Sequence, residues 1–501
     1  MEERLTRLRD WLAEVWDLRG AAMVLYWDQA TYMPVGGEAA RGRQLGVLRR
    51  LAHEKFTDPA VGELLEELRP YEEGRSRDSD EAALIRVTRR EHEREARVPP
   101  EFVAEMSNHA SASYAAWKRA RPADDFEAMR PYLEKTLELS RRYAGFFEGH
   151  EHVADPLIDG SDPGMTAASV GAVFSELRGH LVPLVAEVCD SPPADDSCLR
   201  GEFGDAEELA FAAEVARRFG YDFGRGRQDL TAHPFAAKLA TGDVRITTRI
   251  KKNDVRNPLF STLHEAGHGM YEQGVADELG GTPLSRGASM GVHESQSRLW
   301  ENLVGRSRPF WEFFYPKLQK VFPARLGSMG GEEFYRAINK VERSPIRTDA
   351  DEVTYNLHVI LRFDFELEML EGKLEVRDLP EAWRERMRED LGLTPPDDRA
   401  GVLQDAHWFN GAVGGRFQGY TLGNIMSAQF YGAALEAHPE IPSEIKTGEF
   451  GTLHGWLSRN IYRHGKKFTA AEILQNATGS QIDVGPYMDY LRSKYGELYG
   501  A

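Results

Sequence analysis

The feature that most constrains this chain is a helical repeat of apolar residues running along nearly its whole length. In segments 81–96, 127–148, 168–188 and 205–219, apolar side chains fall three and four residues apart, with charged residues on the opposite face. The pattern returns in 311–321, 332–342, 353–372 and 486–498. An α-helix gathers such positions onto one stripe, so each segment predicts an amphipathic helix with one face to bury. The N-terminal stretch MEERLTRLRDWLAEVWDLRG reads the same way, with Leu5, Leu8, Leu12 and Val15 on one side. Turn signals at Pro99-Pro100, Asp162-Pro163-Gly164, Pro192-Pro193 and Pro395-Pro396 separate the helices. No tandem repeat, low-complexity linker or composition shift divides them. The expectation is a mainly α fold, a single large helical domain over 1–501, with an N-terminal helical part (about 1–100) as a lid. One segment breaks the period: in DVRITTRI (243–250), Val244, Ile246, Thr248 and Ile250 alternate with Arg245, Thr247 and Arg249. Period two with β-branched residues predicts a half-buried strand.

The charge balance, 62 basic against 80 acidic residues for a net charge of −18, argues against nucleic acid, which requires a basic footprint. It also disfavours anionic membrane surfaces. Two cysteines, Cys189 and Cys198, do not make a disulfide framework, and free thiols are expected. The N-terminus has charges throughout and no apolar signal core, and no run of about 18 apolar residues occurs. The cytoplasm is the expected compartment.

The strongest chemical signal is PLFSTLHEAGHGMYEQG (258–274), with Pro258 near a helix start and Gly274 as a stop. On that helix His264 and His268 are one turn apart and present both imidazoles to one ion. Zinc accepts imidazole nitrogen at about 2.0–2.1 Å and leaves room for a third ligand and water. Glu265 lies about 100° further round, off the ion but close to a water on it. Gly267 and Gly269 each weaken the helix by about 1 kcal/mol relative to Ala, which implies that something passes close to the backbone there.

For the third ligand, ASMGVHESQSRLWENLVG (288–305) reads as a second helix carrying Glu294. A crossing or antiparallel helix could deliver that carboxylate to the same ion. Glu272, one turn beyond His268, is the other candidate, although three ligands from one short helix would crowd one side of a tetrahedron. His293 points elsewhere on its helix and reads as a supporting or packing residue.

These residues resemble a known family. HEAGH followed by HESQ (293–296) is similar to the carboxypeptidase Taq family of metallocarboxypeptidases, as are DVRIT (243–247), IRTDADE (346–352) and GVLQDAHW (401–408). YWDQATYMP (26–34), HPF (233–235), NIYRHG and ATG extend the likeness over nearly the whole chain. The resemblance implies a helical fold around a deep groove, usually homodimeric. It implies release of single residues from the free C-terminus of peptides with broad specificity, C-terminal proline excepted. It implies zinc or cobalt held by His264, His268 and Glu294, with Glu265 as base. One stretch departs: in GRFQGYTLGN (415–424), Arg416, Gln418 and Gly419 stand where the family tends to have Tyr, Pro and Thr, while Tyr420 is retained.

The expected chemistry is metal-assisted hydrolysis, with Glu265 taking a proton from water and returning it to the leaving amine. The developing oxyanion needs a further donor, and His407 and Tyr420 are the candidates. Arginine pairs bidentately with carboxylates, so Arg347 and then Arg245 are candidate readers of the terminal carboxylate, each weighed against an internal ion pair. For Arg347 the internal partners considered are Asp349, Asp351 and Glu352. Asp405 is a candidate to orient an imidazole. Two other functions fit the motifs: a helical zinc endo-oligopeptidase or dipeptidyl carboxypeptidase, and a non-catalytic metal- or peptide-binding protein. Intact Glu265 weighs against the last.

Overall fold

The computed structural model describes residues 1–500. Four helices come first, α1 (Glu2–Thr31), α2 (Glu38–Phe56), α3 (Pro59–Glu73) and α4 (Asp80–Arg97). They are followed by α5 (Pro100–Ala123), α6 (Arg130–Ala144), α7 (Asp155–Ser161), α8 (Ala167–Asp190) and α9 (Asp205–Phe219). Strands β1 (Gln228–Leu230), β2 (Ala236–Ala240) and β3 (Asp243–Thr248) then lead into α10 (Arg256–Gln273) and α11 (Met290–Arg298). Next come α12 (Arg308–Val321), α13 (Pro323–Leu326), α14 (Gly331–Ile338), α15 (Tyr355–Glu371) and α16 (Leu379–Leu391). The chain ends with α17 (Gln418–Ala437), α18 (Ile441–Ile445), α19 (Gly451–Asn460), α20 (Ala470–Thr478) and α21 (Gly485–Tyr499). Every segment marked by the apolar repeat contains a helix, and the fold is mainly α.

The expected strand is the centre of a three-stranded sheet ordered β1-β3-β2, parallel to β1 and antiparallel to β2. Val244 and Ile246 are fully buried, and Ile246 shares a core with Leu263, Ala266 and Met270 of α10. The alternating Arg245 faces away, stacks on Trp27 at 4.3 Å and pairs with Asp243 at 2.7 Å. Arg227 lies over the same Trp27 ring at 5.1 Å, and the Tyr32 hydroxyl donates to Asp229. Through these contacts the end of α1 is fastened to the sheet.

The apolar faces gather into one large core and a smaller N-terminal one, with Val98, Phe102, Leu139 and Phe147 forming a minor cluster apart from both. The smaller unites Leu5, Leu8, Leu12, Phe56, Leu65 and Ile85 and closes on Val275, Leu279 and Leu284, in the loop after α10. Each fully buried leucine there contributes about 1.5–3 kcal/mol relative to exposure. Cys189 and Cys198 are free thiols, as expected, and burial pushes both up to about 11. Among the described residues no helix is long and apolar enough to cross a membrane.

What positions the site is a close crossing of α10, α11 and α17. A Cβ on Gly267 would fall 2.6 Å from the Gln296 carbonyl oxygen and 2.6 Å from Ser297 Cα. This is the close passage implied by glycine inside the HEAGH helix. On α17, a Cβ on Gly423 would fall 2.6 Å from Glu294 Cβ. Gly267→Ala should therefore lower unfolding free energy by about 1–3 kcal/mol through overpacking. Gly432→Ala, also on α17 but with nothing within 4 Å, should raise it by about 0.5–1 kcal/mol. Denaturant midpoints of the two variants check the contrast.

Candidate active site

The HEAGH helix, α10, ends at Gly274 as its sequence predicts. His264 and His268 lie one turn apart with ring centroids 4.8 Å apart and nearly perpendicular planes. Both Nε2 atoms face Glu294 Oε2, at 3.8 Å and 3.6 Å. The start of α11 is pinned from two sides: Ser289 Oγ accepts from the Val292 amide at 3.1 Å, and Asp162 Oδ1 accepts from the Gly291 amide at 2.7 Å. One ligand atom from each of His264, His268 and Glu294 lies within 4.8 Å of the others, the one such grouping among the described residues.

Each of these side chains is held from behind. His264 Nδ1 bonds to Glu301 Oε2 at 2.9 Å. Arg298 donates to Glu294 Oε1 at 2.8 Å and to Glu301 Oε2 at 3.3 Å, so Glu294 Oε2 is the oxygen left for the histidines. Glu301 sits in a π-helical segment, Leu299–Val304, that continues α11. Glu301 and Arg298 were not singled out from sequence; the available signal was the spacing of 294, 298 and 301 along one helical face. His293 Nδ1 lies 2.6 Å from His268 Nδ1, and His293 Nε2 bonds to Glu272 Oε1 at 2.9 Å. Glu272 is thus directed at His293.

The electrostatics call for a cation. Burial, with His293 and His264 nearby, holds His268 far below its ordinary range, so its ring is neutral. Burial opposes charge on His264 too, but Glu294 and Glu301 outweigh it and raise that pKa. Burial would raise Glu301, whereas Arg298 and His264 pull it down to about 2. Glu265 is 6% exposed, its Oε2 has no hydrogen-bond partner among the described residues, and burial pushes it up to about 7. Two imidazole nitrogens and a carboxylate oxygen form a donor set that suits zinc and related divalent ions, so the residues present fit a metal.

His264, Glu265, His268 and Glu294 line a cleft of 580 Å³ together with Ser161, Phe235, Arg286, Met290 and Tyr420. A second cavity of 540 Å³ lies against Trp16, Tyr26, His53 and Arg94 and shares Gly160, Arg286 and Lys466 with the first. The two make one long groove walled on one side by α1, α2 and α4. Lys466 pairs with Glu91, whereas Arg286 forms no direct ion pair among the described residues, although its charge helps to lower the Glu272 pKa.

Of the remaining sequence candidates, Tyr420 lines the cleft and its hydroxyl is 3.2 Å from His407 Nε2. Burial raises the Tyr420 pKa, keeping the hydroxyl a donor. Neither Arg347 nor Arg245 lines the cleft. Arg347 is closed on Asp405 through two bonds of 2.7 Å and 3.0 Å, with Tyr355 as a further acceptor, and lies 5.4 Å from the Tyr420 ring. Its carboxylate partner therefore comes from the QDAHW segment. Asp405 also accepts from the fully buried Arg362 at 2.7 Å and lies 3.6 Å from His407 Nδ1. Two acidic residues of IRTDADE are structural: Asp351 accepts from the Val353 and Thr354 amides, and Glu352 pairs with Lys494 at 2.9 Å, whereas Asp349 is exposed. In the atypical segment, Gln418 donates to Ser161 Oγ at 2.8 Å and Asp162 Oδ2 at 3.0 Å, and Gly419 packs on Met290.

A His-Glu-x-x-His helix, a carboxylate from a crossing helix and a long groove define a helical metallopeptidase. The chain belongs to the carboxypeptidase Taq (M32) metallopeptidase family, whose model matches residues 7–495. It is 40% identical over 484 residues to thermostable carboxypeptidase 1 of Thermus thermophilus, covering 95% of this chain and 94% of that one. Carboxypeptidase 1 of Bacillus subtilis is 36% identical over 480 residues, covering 96% of this chain and 95% of that one. The crystal structure of the M32 carboxypeptidase from Deinococcus radiodurans R1 superposes with a TM-score of 0.96 at 50% identity, covering 100% of both chains. The protein is a metal-dependent carboxypeptidase, a peptide hydrolase.

Beneath His407, Trp408 Nε1 donates to Glu366 Oε1 at 2.9 Å, and burial pushes Glu366 from an ordinary 4.5 up to about 7. A raised carboxyl contributes stability that is present below about pH 4.5 and is lost as pH rises through about 7. Glu366→Gln should flatten that decline, which amounts to about 3 kcal/mol, while keeping an acceptor for Trp408. Urea unfolding at pH 5 and pH 8 measures the difference.

Proposed function

We propose that this carboxypeptidase releases single amino acids from the free C-terminus of peptides, with broad side-chain tolerance, using one divalent ion held by His264, His268 and Glu294. The observation that carries the reading is the convergence of two imidazole nitrogens and one carboxylate oxygen beside the orphaned Glu265 Oε2. Zinc is the first choice of ion and cobalt the second, since both accept nitrogen and oxygen donors. A cation there supplies Lewis acidity, polarising a carbonyl and making water acidic enough to attack near neutral pH.

Glu265 accepts the proton of the attacking water and returns it to the leaving amine. Tyr420, protonated and facing the cleft, donates to the oxyanion as it forms, and His407 holds its hydroxyl in place. The terminal carboxylate meets Arg286, a cleft guanidinium that forms no direct ion pair among the described residues and whose charge is felt by the nearby Glu272. Arg347, closed on Asp405 behind Tyr420, supports that wall, and Arg245 secures α1 through Trp27. The same reading takes the N-terminal helical part, about 1–100, as a lid on one catalytic domain and the working form as a cytoplasmic homodimer.

The length of the groove, which continues past the site into a second cavity, favours one alternative: an endo-oligopeptidase or dipeptidyl carboxypeptidase. Matched peptides with free and amidated C-termini separate the readings. Loss of free single amino acids as products on amidation is expected, and equal cleavage of both forms would sink the carboxypeptidase mode. Glu265→Gln should slow hydrolysis by about 10²–10⁴-fold while elemental analysis still finds about one ion per chain. Unchanged turnover in that variant would remove Glu265 from the reaction.

A further inference from the structure

A lysine on the small sheet reaches the metal site through a chain of three side chains. Lys238 lies on β2 with its side chain 5% exposed. Its ammonium donates to the backbone carbonyls of Glu272, at 2.8 Å, and Ser285, and forms an ion pair with Glu272 Oε2 at 3.1 Å. Glu272 Oε1 in turn accepts from the Gly287 amide at 3.1 Å and bonds to His293 Nε2 at 2.9 Å. The chain ends at His268, whose Nδ1 is 2.6 Å from His293 Nδ1 and whose Nε2 faces Glu294.

The protons along this chain follow from elementary bonding rules. An ionised carboxylate only accepts, so His293 Nε2 carries a hydrogen. In a neutral ring that leaves His293 Nδ1 as an acceptor, and two nitrogens in hydrogen bond share one proton. The proton between them therefore belongs to His268 Nδ1, and His268 Nε2 is left with the lone pair a metal needs. His264 receives the same instruction directly, from Glu301. Only on the His268 side does the instruction pass through a second imidazole, and only there is the terminal carboxylate tied down by a buried lysine.

We propose that Lys238 is a positioning residue for the metal centre, holding Glu272 so that His293 orients His268 in its metal-binding tautomer. The proposal rests on the ligand set given above. Lys238 contacts neither the site's ligand atoms nor the cleft, so its effect is on ion affinity first and on turnover through it.

The experiment is a zinc competition titration against a chromophoric chelator, on the full-length enzyme and the variants Lys238→Met, Lys238→Arg, Glu272→Gln and His264→Ala. Outer partners of a ligating histidine typically set affinity by about 10–100-fold, so Lys238→Met and Glu272→Gln should each weaken zinc binding by about tenfold or more. Lys238→Arg, which keeps the charge, should recover most of that loss. Circular dichroism and thermal unfolding of each zinc-free protein correct for any unfolded fraction, and Glu272→Gln covers the case in which Lys238→Met does not fold. The visible spectrum of bound cobalt should also change in Lys238→Met, a readout that a merely structural lysine would not move. Wild-type affinity in folded Lys238→Met and Glu272→Gln would overturn the proposal. Unchanged zinc binding in His264→Ala would instead overturn the ligand set beneath it.

Discussion

The site exists because three helices approach more closely than side chains ordinarily allow. Packed helices usually keep their axes 8–10 Å apart, and the gap is filled by the residues at the contact. At Gly267 and Gly423 nothing fills it, and the neighbouring backbone and Glu294 occupy the space instead. That contact sets how far the Glu294 carboxylate stands from His264 and His268. Ligand distances tolerate errors of only about 0.2 Å, whereas a methyl group between the helices would displace them by much more. The capping of α11 by Ser289 and Asp162 fixes the remaining freedom, rotation and slide along the helix axis.

Around this crossing the protein has concentrated buried charge. Glu265, Glu294 and Glu301 face the two imidazoles, with Arg298 hydrogen-bonded to Glu294 and Glu301 and Arg306 ion-paired with Glu301 at 3.8 Å. Buried charges are costly unless paired, and the cost falls when a cation joins the group. The two histidines are braced differently, one by a carboxylate at first hand and the other through an imidazole. The same cleft is also lined by two basic residues, Arg286 and Lys466.

The fold was legible because helical periodicity is local: the apolar stripes lie within single segments, and α4, α8, α9, α15 and α21 follow them closely. His264, Glu265 and His268 were legible for the same reason, since spacing on one helix is already geometry. Glu294 lay on a different helix, and spacing alone left Glu272 open beside it; the HESQ resemblance favoured Glu294. Tertiary pairing was the hidden part. Arg347 had three acidic neighbours close in sequence, yet its carboxylate is Asp405, 58 residues away. Glu301 sits in a π-helical turn that no hydrophobic pattern marks, and Lys238 is a single charge in an otherwise apolar strand.

The two separate cores have a mechanical consequence. The helices that wall the groove pack mostly on one another, and their core reaches the rest of the protein through Val275, Leu279 and Leu284, with further attachments such as Trp27 and Tyr32 on the sheet. Widening the groove therefore loads a seam and leaves both interiors folded. The stiffness of the enzyme toward an entering peptide is a property of that seam, so it can be tuned by substitutions at a few joints without touching the groups that carry out hydrolysis.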